Sequence, residues 1–279
     1  MTQQAVTFLV RQLEEHLNVR LLWRNRGRLE LTPAGELALD YASRILALSE
    51  ELESRVGEMR GEIGGTLLLG ASATVAEFYL PQILAEFRVI YPRVQAQMAV
   101  SYSETILNRV ANNTIDLGLV SSRNVQPNLA GGSLEVICQH ELMLICSTMH
   151  PMASAKQVAA CDVACERLIC REPGSSTRKG TDNYFLSNGL PPEDLNVIME
   201  LGSPESIKAV VESGLGVSIL PRVAIAKELR LGTLCALQLV PKLERNLFVA
   251  LPESPYRSQL VGTFAEFATS RMRAMAVTR

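Results

Sequence analysis

The amino-acid sequence predicts an α/β protein in two parts, a short helix–hairpin–helix module followed by a larger domain of alternating strands and helices. Three observations predict it. Between residues 11 and 60 the apolar pattern changes period twice, from helical spacing to short strand-like runs and back. A glycine-rich joint, Gly61-Glu62-Ile63-Gly64-Gly65, follows, and such stretches resist helix and strand alike. Beyond it strand-like and helical runs alternate, the pattern of parallel strands joined by crossover helices.

Each element has a local reason. Leu13 and Leu17 stand four apart among Arg11, Glu14, Glu15 and His16, one apolar stripe at the end of a helix. Leu21-Leu22-Trp23 and Leu29-Glu30-Leu31 read as short strands around Arg24-Asn25-Arg26-Gly27-Arg28, and Asn and Gly tolerate the positive φ of a tight turn. The hairpin is therefore expected to carry Arg24, Arg26 and Arg28 at its tip. Thr32 is a good N-cap, Pro33 suits the first helical position and Glu36 complements the positive helix end, so a helix is expected from there to about Gly61. Along it Tyr41, Ile45, Leu48, Leu52 and Met59 recur at alternating spacings of four and three, a seam for a second copy of the helix. A surface helix lying on its own domain is the alternative.

After the joint, strands are expected at Thr66 to Ala71, Val94 to Val100, Ile115 to Val120, Leu134 to Cys138, Leu142 to Ser147, Leu168 to Arg171, Val197 to Leu201, Val217 to Leu220 and Leu247 to Leu251. Helices are expected at Ala76 to Tyr91, Glu104 to Asn112, Ser176 to Asn188, Glu205 to Ser213 and Tyr256 to Met275. Two lobes joined by two crossings leave a cleft, and open α/β sheets bind ligands at the carboxyl ends of their strands. The loops there are polar: Ser72-Ala73-Thr74, Ser101-Tyr102-Ser103, Gly174-Ser175-Ser176-Thr177 and Gly202-Ser203. Each sets hydroxyls beside a helix N-terminus, whose free N–H groups favour an anion. Ser72, Thr74, Ser101, Ser103, Ser175, Ser176, Thr177, Arg178 and Ser203 are thus the candidate effector contacts. Ordinary N-capping with no ligand is the competing explanation, and Arg178 could equally pair with Glu200 or Glu205.

Composition sets bounds. The chain has 279 residues, 47% hydrophobic and 20% charged, enough for one large domain or two to three small ones with ample cores. No run reaches the roughly 18 apolar residues of a membrane span, and no basic stretch precedes an apolar one at the N-terminus, so a cytoplasmic protein without membrane contact is expected. The net charge is −2, but residues 1 to 35 hold five arginines against three glutamates, +2, leaving −4 for the remainder. Cysteines 138, 146, 161, 165, 170 and 235 lack paired CxxC spacing, which argues for free thiols. Cys161, Cys165 and Cys170 are read as small buried hydrophobes before a redox sensor. No histidine lies near Gly174-Ser175-Ser176 to make a nucleophilic triad, and Cys138, His140, Cys146 and His150 match no common zinc spacing. No catalytic residue, metal or cofactor is expected.

Three segments, RQLEEHLNVRLLWRNRGRLELTPAGE, REPGSSTR and MELGSPESIKAVVESGLGVSILPR, resemble the LysR-type transcriptional regulators over nearly the whole chain. The resemblance implies a winged helix-turn-helix, a linker helix and a two-lobed effector domain like the type 2 periplasmic binding proteins. In this chain they would span residues 1–35 (partial), 33–63 and 64–279, with lobe I about 64–138 and 241–279 and lobe II about 139–240. Met1 to Arg11 looks like the family's recognition helix, capped by Thr2, with Gln3, Gln4, Thr7 and Arg11 towards the DNA groove. Gln4 stands where the family has proline and Leu9 where it has a polar residue. Because two helices precede this one in the family, the reading frame is expected to continue upstream of Met1. The implied partners are double-stranded DNA, a small-molecule effector and a second copy of the chain, as homo-dimer or tetramer. A DNA-binding-deficient dimer partner and an enzyme using the cleft are the alternatives.

Overall fold

The computed structural model describes residues 2–25, 28–58, 63–122, 129, 131–253 and 258–278. The chain divides into two compact units, Met1–Val56 and Gly57–Arg279.

In the first unit, helix α1 (Gln3–Leu17) starts at Thr2, whose hydroxyl accepts from the Ala5 N–H at 3.4 Å, and ends at Asn18 in the left-handed conformation. Glu14 ties that end to the hairpin by accepting from the N–H groups of Leu21 and Leu22 at 2.7 and 3.2 Å. Strands β1 (Leu22–Asn25) and β2 (Arg28–Leu31) pair antiparallel with Asn25 opposite Arg28. Arg24 and Arg28 therefore stand in the strands, a correction to the expected three-arginine tip; Arg26 lies outside the described residues. Helix α2 (Pro33–Glu58) opens as its sequence dictates. The buried Thr32 hydroxyl accepts from the Gly35 N–H at 2.9 Å and donates to the Arg20 carbonyl at 2.7 Å, so one side chain caps the helix and pins the hairpin.

The second unit holds β3 (Gly65–Ala71), α3 (Ala73–Phe78), α4 (Leu80–Ile90), β4 (Val94–Val100), α5 (Ser103–Ala111), β5 (Leu117–Ser122), β6 (Gly132–Ser147), β7 (Gln157–Ala159), α6 (Ala160–Ala164), β8 (Leu168–Arg171), α7 (Ser176–Ser187), β9 (Val197–Leu201), α8 (Pro204–Glu212), β10 (Ser218–Pro221), α9 (Ala226–Leu231), β11 (Leu234–Pro252) and α10 (Gln259–Thr278). One sheet runs in the order β10-β6-β11-β5-β3-β4, with β7 also on β11, while β8 and β9 form a separate parallel pair.

Three expectations change. The helix read as Ala76 to Tyr91 is two, because Pro81 lacks the N–H that a continuous helix would use and the chain breaks at Tyr79. The two runs at Leu134 and Leu142 are one 16-residue strand, and Leu247 to Leu251 is the end of a 19-residue strand. β3, β4 and β5 are parallel as expected, but β6 and β11 run antiparallel to each other along both lobes, their ladder interrupted between Gln238 and Leu243.

Two main apolar cores lie along the unit, the second of them spanning that interruption with Leu237, Leu239 and Leu243. One gathers Leu67, Leu69, Tyr79, Ile83, Phe87, Leu117, Leu119, Leu247 and Phe264 under α3, α4 and α10. The other gathers Leu142, Leu144, Cys146, Val163, Tyr184, Phe185, Leu237 and Leu239 under α6 and α7. Val223, from the turn before α9, is buried in the first core, so the two lobes share apolar surface. Among the described residues no helix is long and apolar enough to cross a membrane.

Candidate functional site

Ser121, His140 and Arg245 form a cluster that three of the polar loops reach, through Ser72, Ser103 and Ser176. His140 and Arg245 face each other across the β6–β11 ladder, both buried. The Arg245 guanidinium donates to the Ser121 carbonyl at 3.1 Å, at the end of β5, and to the Ser176 carbonyl in the first turn of α7. One side chain thus holds backbone from both lobes. It reaches α7 because position 180 is glycine: a Cβ there would sit 3.2 Å from Nη1, tighter than an ordinary contact. Ser121 extends the cluster. Its Oγ hydrogen-bonds His140 Nε2 at 2.9 Å, its N–H donates to Ser72 Oγ at 3.2 Å, and its carbonyl accepts from Ser103 Oγ at 3.2 Å. Burial, and then the neighbouring Arg245 charge, lower His140 to about 3, so the imidazole is neutral at ordinary pH.

The sequence-predicted residues fall around this cluster. Ser72 and Thr74 are buried at the start of α3, and the Ser101 N–H donates to the Ala71 carbonyl at 3.2 Å. Gly174, at φ +91°, lets the loop before α7 turn against the ring of Tyr102, joining the loop after β4 to the loop after β8. Ser175 and Thr177 are buried at the start of α7, Ser176 lends its carbonyl to Arg245, and Ser203 begins α8. Ser72, Ser175 and Ser203 occupy N-cap positions, yet none of the three side chains makes a cap hydrogen bond. Arg178 turns away from this group: Asp182 at 2.8 Å and Glu200 at 2.5 Å hold its guanidinium, which also donates to the Arg171 carbonyl at 3.2 Å. Of the pairings open to it, the one with Glu200 forms.

Sequence reasoning missed Ser121 and Arg245 as site residues and met His140 only as a zinc candidate. A signal was present. Arg245 lies between Leu243 and Leu247, both inward at a spacing of two, which turns an arginine inward as well. The zinc candidates separate: Cys138 packs against the first core, His140 binds Ser121, and His150 meets Glu166 at 3.4 Å. Cys161 and Cys165 are exposed, against the expectation of burial, because α6 turns them away from the core that takes Ala160 and Val163; Cys170 is buried. A cavity of about 510 Å³ lies elsewhere, lined by Leu67, Leu84, Phe87, Val94, Gln95 and Ala96 among others, and none of the polar loops reaches it.

In the first unit Gln3, Gln4, Thr7 and Arg11 are exposed on α1; Thr7 Oγ1 donates to the Gln3 carbonyl at 2.9 Å and Arg11 pairs with Glu15 at 3.0 Å. On α2, Tyr41, Ile45, Leu48 and Leu52 are 55%, 64%, 64% and 63% exposed, an apolar seam that the folded single chain leaves in solvent. Met59 lies outside the described residues.

Residues 60–273 match the family description "LysR substrate binding domain", and residues 1–36 match "Bacterial regulatory helix-turn-helix protein, lysR family". The chain is 34% identical over 268 residues to a "Probable RuBisCO transcriptional regulator" of Cyanophora paradoxa, covering 95% of this chain and 82% of that protein. A relative with the same description from Trichormus variabilis is 33% identical, with 95% and 79% covered. Among solved structures, the regulatory domain of Synechocystis PCC6803 CcmR in complex with 2-PG is similar at a TM-score of 0.65 and 26% identity, over 76% of this chain and 97% of that one. CbnR, a LysR family transcriptional regulator, shares the fold at a TM-score of 0.70 and 21% identity, over 97% and 90%.

Proposed function

We propose, on the premise that the chain belongs to the LysR family of transcriptional regulators, that its C-terminal unit binds a small anionic metabolite between its lobes and that its N-terminal unit carries the response to double-stranded DNA. The observation that carries this reading is the set of serines at helix starts whose hydroxyls cap nothing. Ser72, Ser175 and Ser203 come from both lobes. Those of α7 and α8 stand beside first-turn N–H groups and positive dipole ends, which favour negative charge. Thr74, Ser101, Ser103, Ser176 and Thr177 complete the proposed contacts. The cation among them is Arg245 in place of Arg178, whose charge Asp182 and Glu200 already balance.

The CcmR complex with 2-PG supports a phosphorylated or carboxylated ligand, and 2-phosphoglycolate is the first probe. The relatives described as RuBisCO regulators support carbon-fixation genes as the first operators to assay. We assign the site no catalysis. The Ser121–His140 contact has the atoms of a nucleophile and base, but the imidazole is backed by an arginine where a triad needs a carboxylate, and a base lowered to about 3 takes no proton at neutral pH. A regulator that works on the chromosome belongs in the cytoplasm. In DNA binding, Gln3, Gln4, Thr7 and Arg11 would face the groove, with Arg24, Arg26 and Arg28 at the backbone. The effector would bias an equilibrium between cleft states, read out as the spacing of paired DNA heads.

Thr177→Val tests the cleft. It keeps the side-chain shape and removes one hydroxyl, so a ligand deprived of a charge-assisted hydrogen bond worth roughly 1.5–3 kcal/mol should bind about tenfold to a hundredfold more weakly by calorimetry. A pure capping role instead lowers thermal stability by ~1 kcal/mol and leaves affinity alone. Ile45→Glu with Leu48→Glu tests the seam. Like charges brought together at a two-fold contact, each costing several kcal/mol if buried, should open the dimer in sedimentation at micromolar concentration; an unchanged mass would move association to the effector lobes.

A further inference from the structure

The β6–β11 ladder sets Cys146 directly opposite Cys235. Directly opposite residues of an antiparallel pair point to one face, with Cα atoms about 4.5 or 5.5 Å apart according to the type of pair. Both separations lie within the roughly 4.4–6.8 Å over which a disulfide closes without moving the backbone. Packing supports the register independently. Cys146 is fully buried in the core with Leu144 and Leu237, and Cys235 is partly buried against that same core. Burial first, then the nearby Cys235 thiol and Glu166 carboxylate, push Cys146 up to about 11, which keeps it a protonated thiol. Solvent reaches the pair through Cys235.

We propose that Cys146 and Cys235 form a site of reversible thiol oxidation that closes to a cross-strand disulfide when the protein meets a hydroperoxide. In the first step the Cys235 sulfur takes one oxygen of the peroxide, the O–O bond breaks, and the remaining oxygen leaves with the thiol proton, as water from hydrogen peroxide or as an alcohol from an organic hydroperoxide, while Cys235 becomes a sulfenic acid. In the second, the Cys146 sulfur displaces the sulfenic hydroxyl, which departs as water with the Cys146 proton. Two electrons pass from the thiol pair to the peroxide. The bond ties the lobe II ends of the two strands that run through both lobes, and it joins positions 89 apart (235 − 146), a long loop whose closure restricts the unfolded chain.

The test uses the full chain with its exposed thiols removed (Cys161→Ser, Cys165→Ser), treated with hydrogen peroxide, alkylated and digested without reduction. The expected product is a peptide joining Cys146 to Cys235, lighter by two hydrogen atoms and cleaved by dithiothreitol, with a Tm roughly 5–10 °C above that of the reduced protein. Recovery of Cys235 as a sulfinic acid or as a mixed disulfide, beside a Cys146 that still alkylates, overturns the proposal. Cys146→Ala separates the steps: it should accumulate a Cys235 sulfenic acid that dimedone traps and gain no stability. A Cys235 that dimedone never labels in that variant also overturns it.

Discussion

Replacing Lys208 by Met should destabilise the C-terminal unit by about 3–5 kcal/mol, the cost of leaving one partner of a buried ion pair alone. Lys208, on α8, is buried, and its Nζ meets Glu205 at 2.7 Å, Glu228 at 2.8 Å and the Ala224 carbonyl at 3.0 Å. Burial works to lower its pKa, but hydrogen bonds to Glu205 and Glu228 outweigh it and the pKa is raised. Methionine keeps the volume and removes the charge. Glu205 can turn to water, whereas Glu228 is itself buried and one of its oxygens already lacks a hydrogen-bond partner. The loss should therefore be recovered largely by adding Glu228→Leu, which removes the stranded carboxylate. Urea unfolding of the parent, the single and the double variant measures both effects. A single variant costing less than about 1 kcal/mol, or a double variant no better than the single, would show that the pair is solvated in the folded protein. The Lys208 ammonium also lies 5.7 Å from the ring of Phe78, which packs against the first core, so part of the loss should appear as weakened contact between the lobes.

Acidification should cost a comparable amount through His140. Its folded pKa of about 3 lies below the ordinary 6.5, so the unfolded chain takes up a proton that the folded one refuses. The stability this contributes is complete above pH 6.5 and is lost as pH falls from there towards 3. At about 1.36 kcal/mol per pH unit the whole interval amounts to about 5 kcal/mol at most. Between pH 6.5 and 5 about 2 kcal/mol should go through His140. His140→Gln retains an amide for Ser121 and has nothing to titrate, so its stability should stay flat over that range in denaturant melts while the parent's falls. Equal slopes would mean that His140 takes a proton in the folded state despite Arg245.

Much of the fold could be read along the chain, since helices and strands carry their own period. Thr2 and Thr32 cap as their positions imply, β4 and β9 keep their expected limits, and the α7 helix starts at Ser176. Such features depend on neighbours within a few residues, and the sequence displays those neighbours directly. The Tyr41–Leu52 seam was legible for the same reason, because a helix places residues four and three apart on one side whatever it later meets.

What lies far apart in sequence was decided by pairing. Gln139 and Glu141 interrupt an apolar run, and Pro241 another, so β6 and β11 read as fragments; only their ladder makes each a single strand through both lobes. That ladder then sets Cys146 against Cys235 and His140 against Arg245, and brings Arg245 to the carbonyls of Ser121 and Ser176, 124 and 69 positions away. The sequence by itself determined the two-part organisation, the family and the hydroxyl-rich loops at helix starts, because these are written in local period and local motif. Only the tertiary structure decided that Arg178 would spend its charge on Asp182 and Glu200 while Arg245, which the Leu243–Leu247 alternation turns inward, would find its partners between the lobes. A charge goes where its hydrogen-bond partners are, and those partners are assembled only when the strands take register.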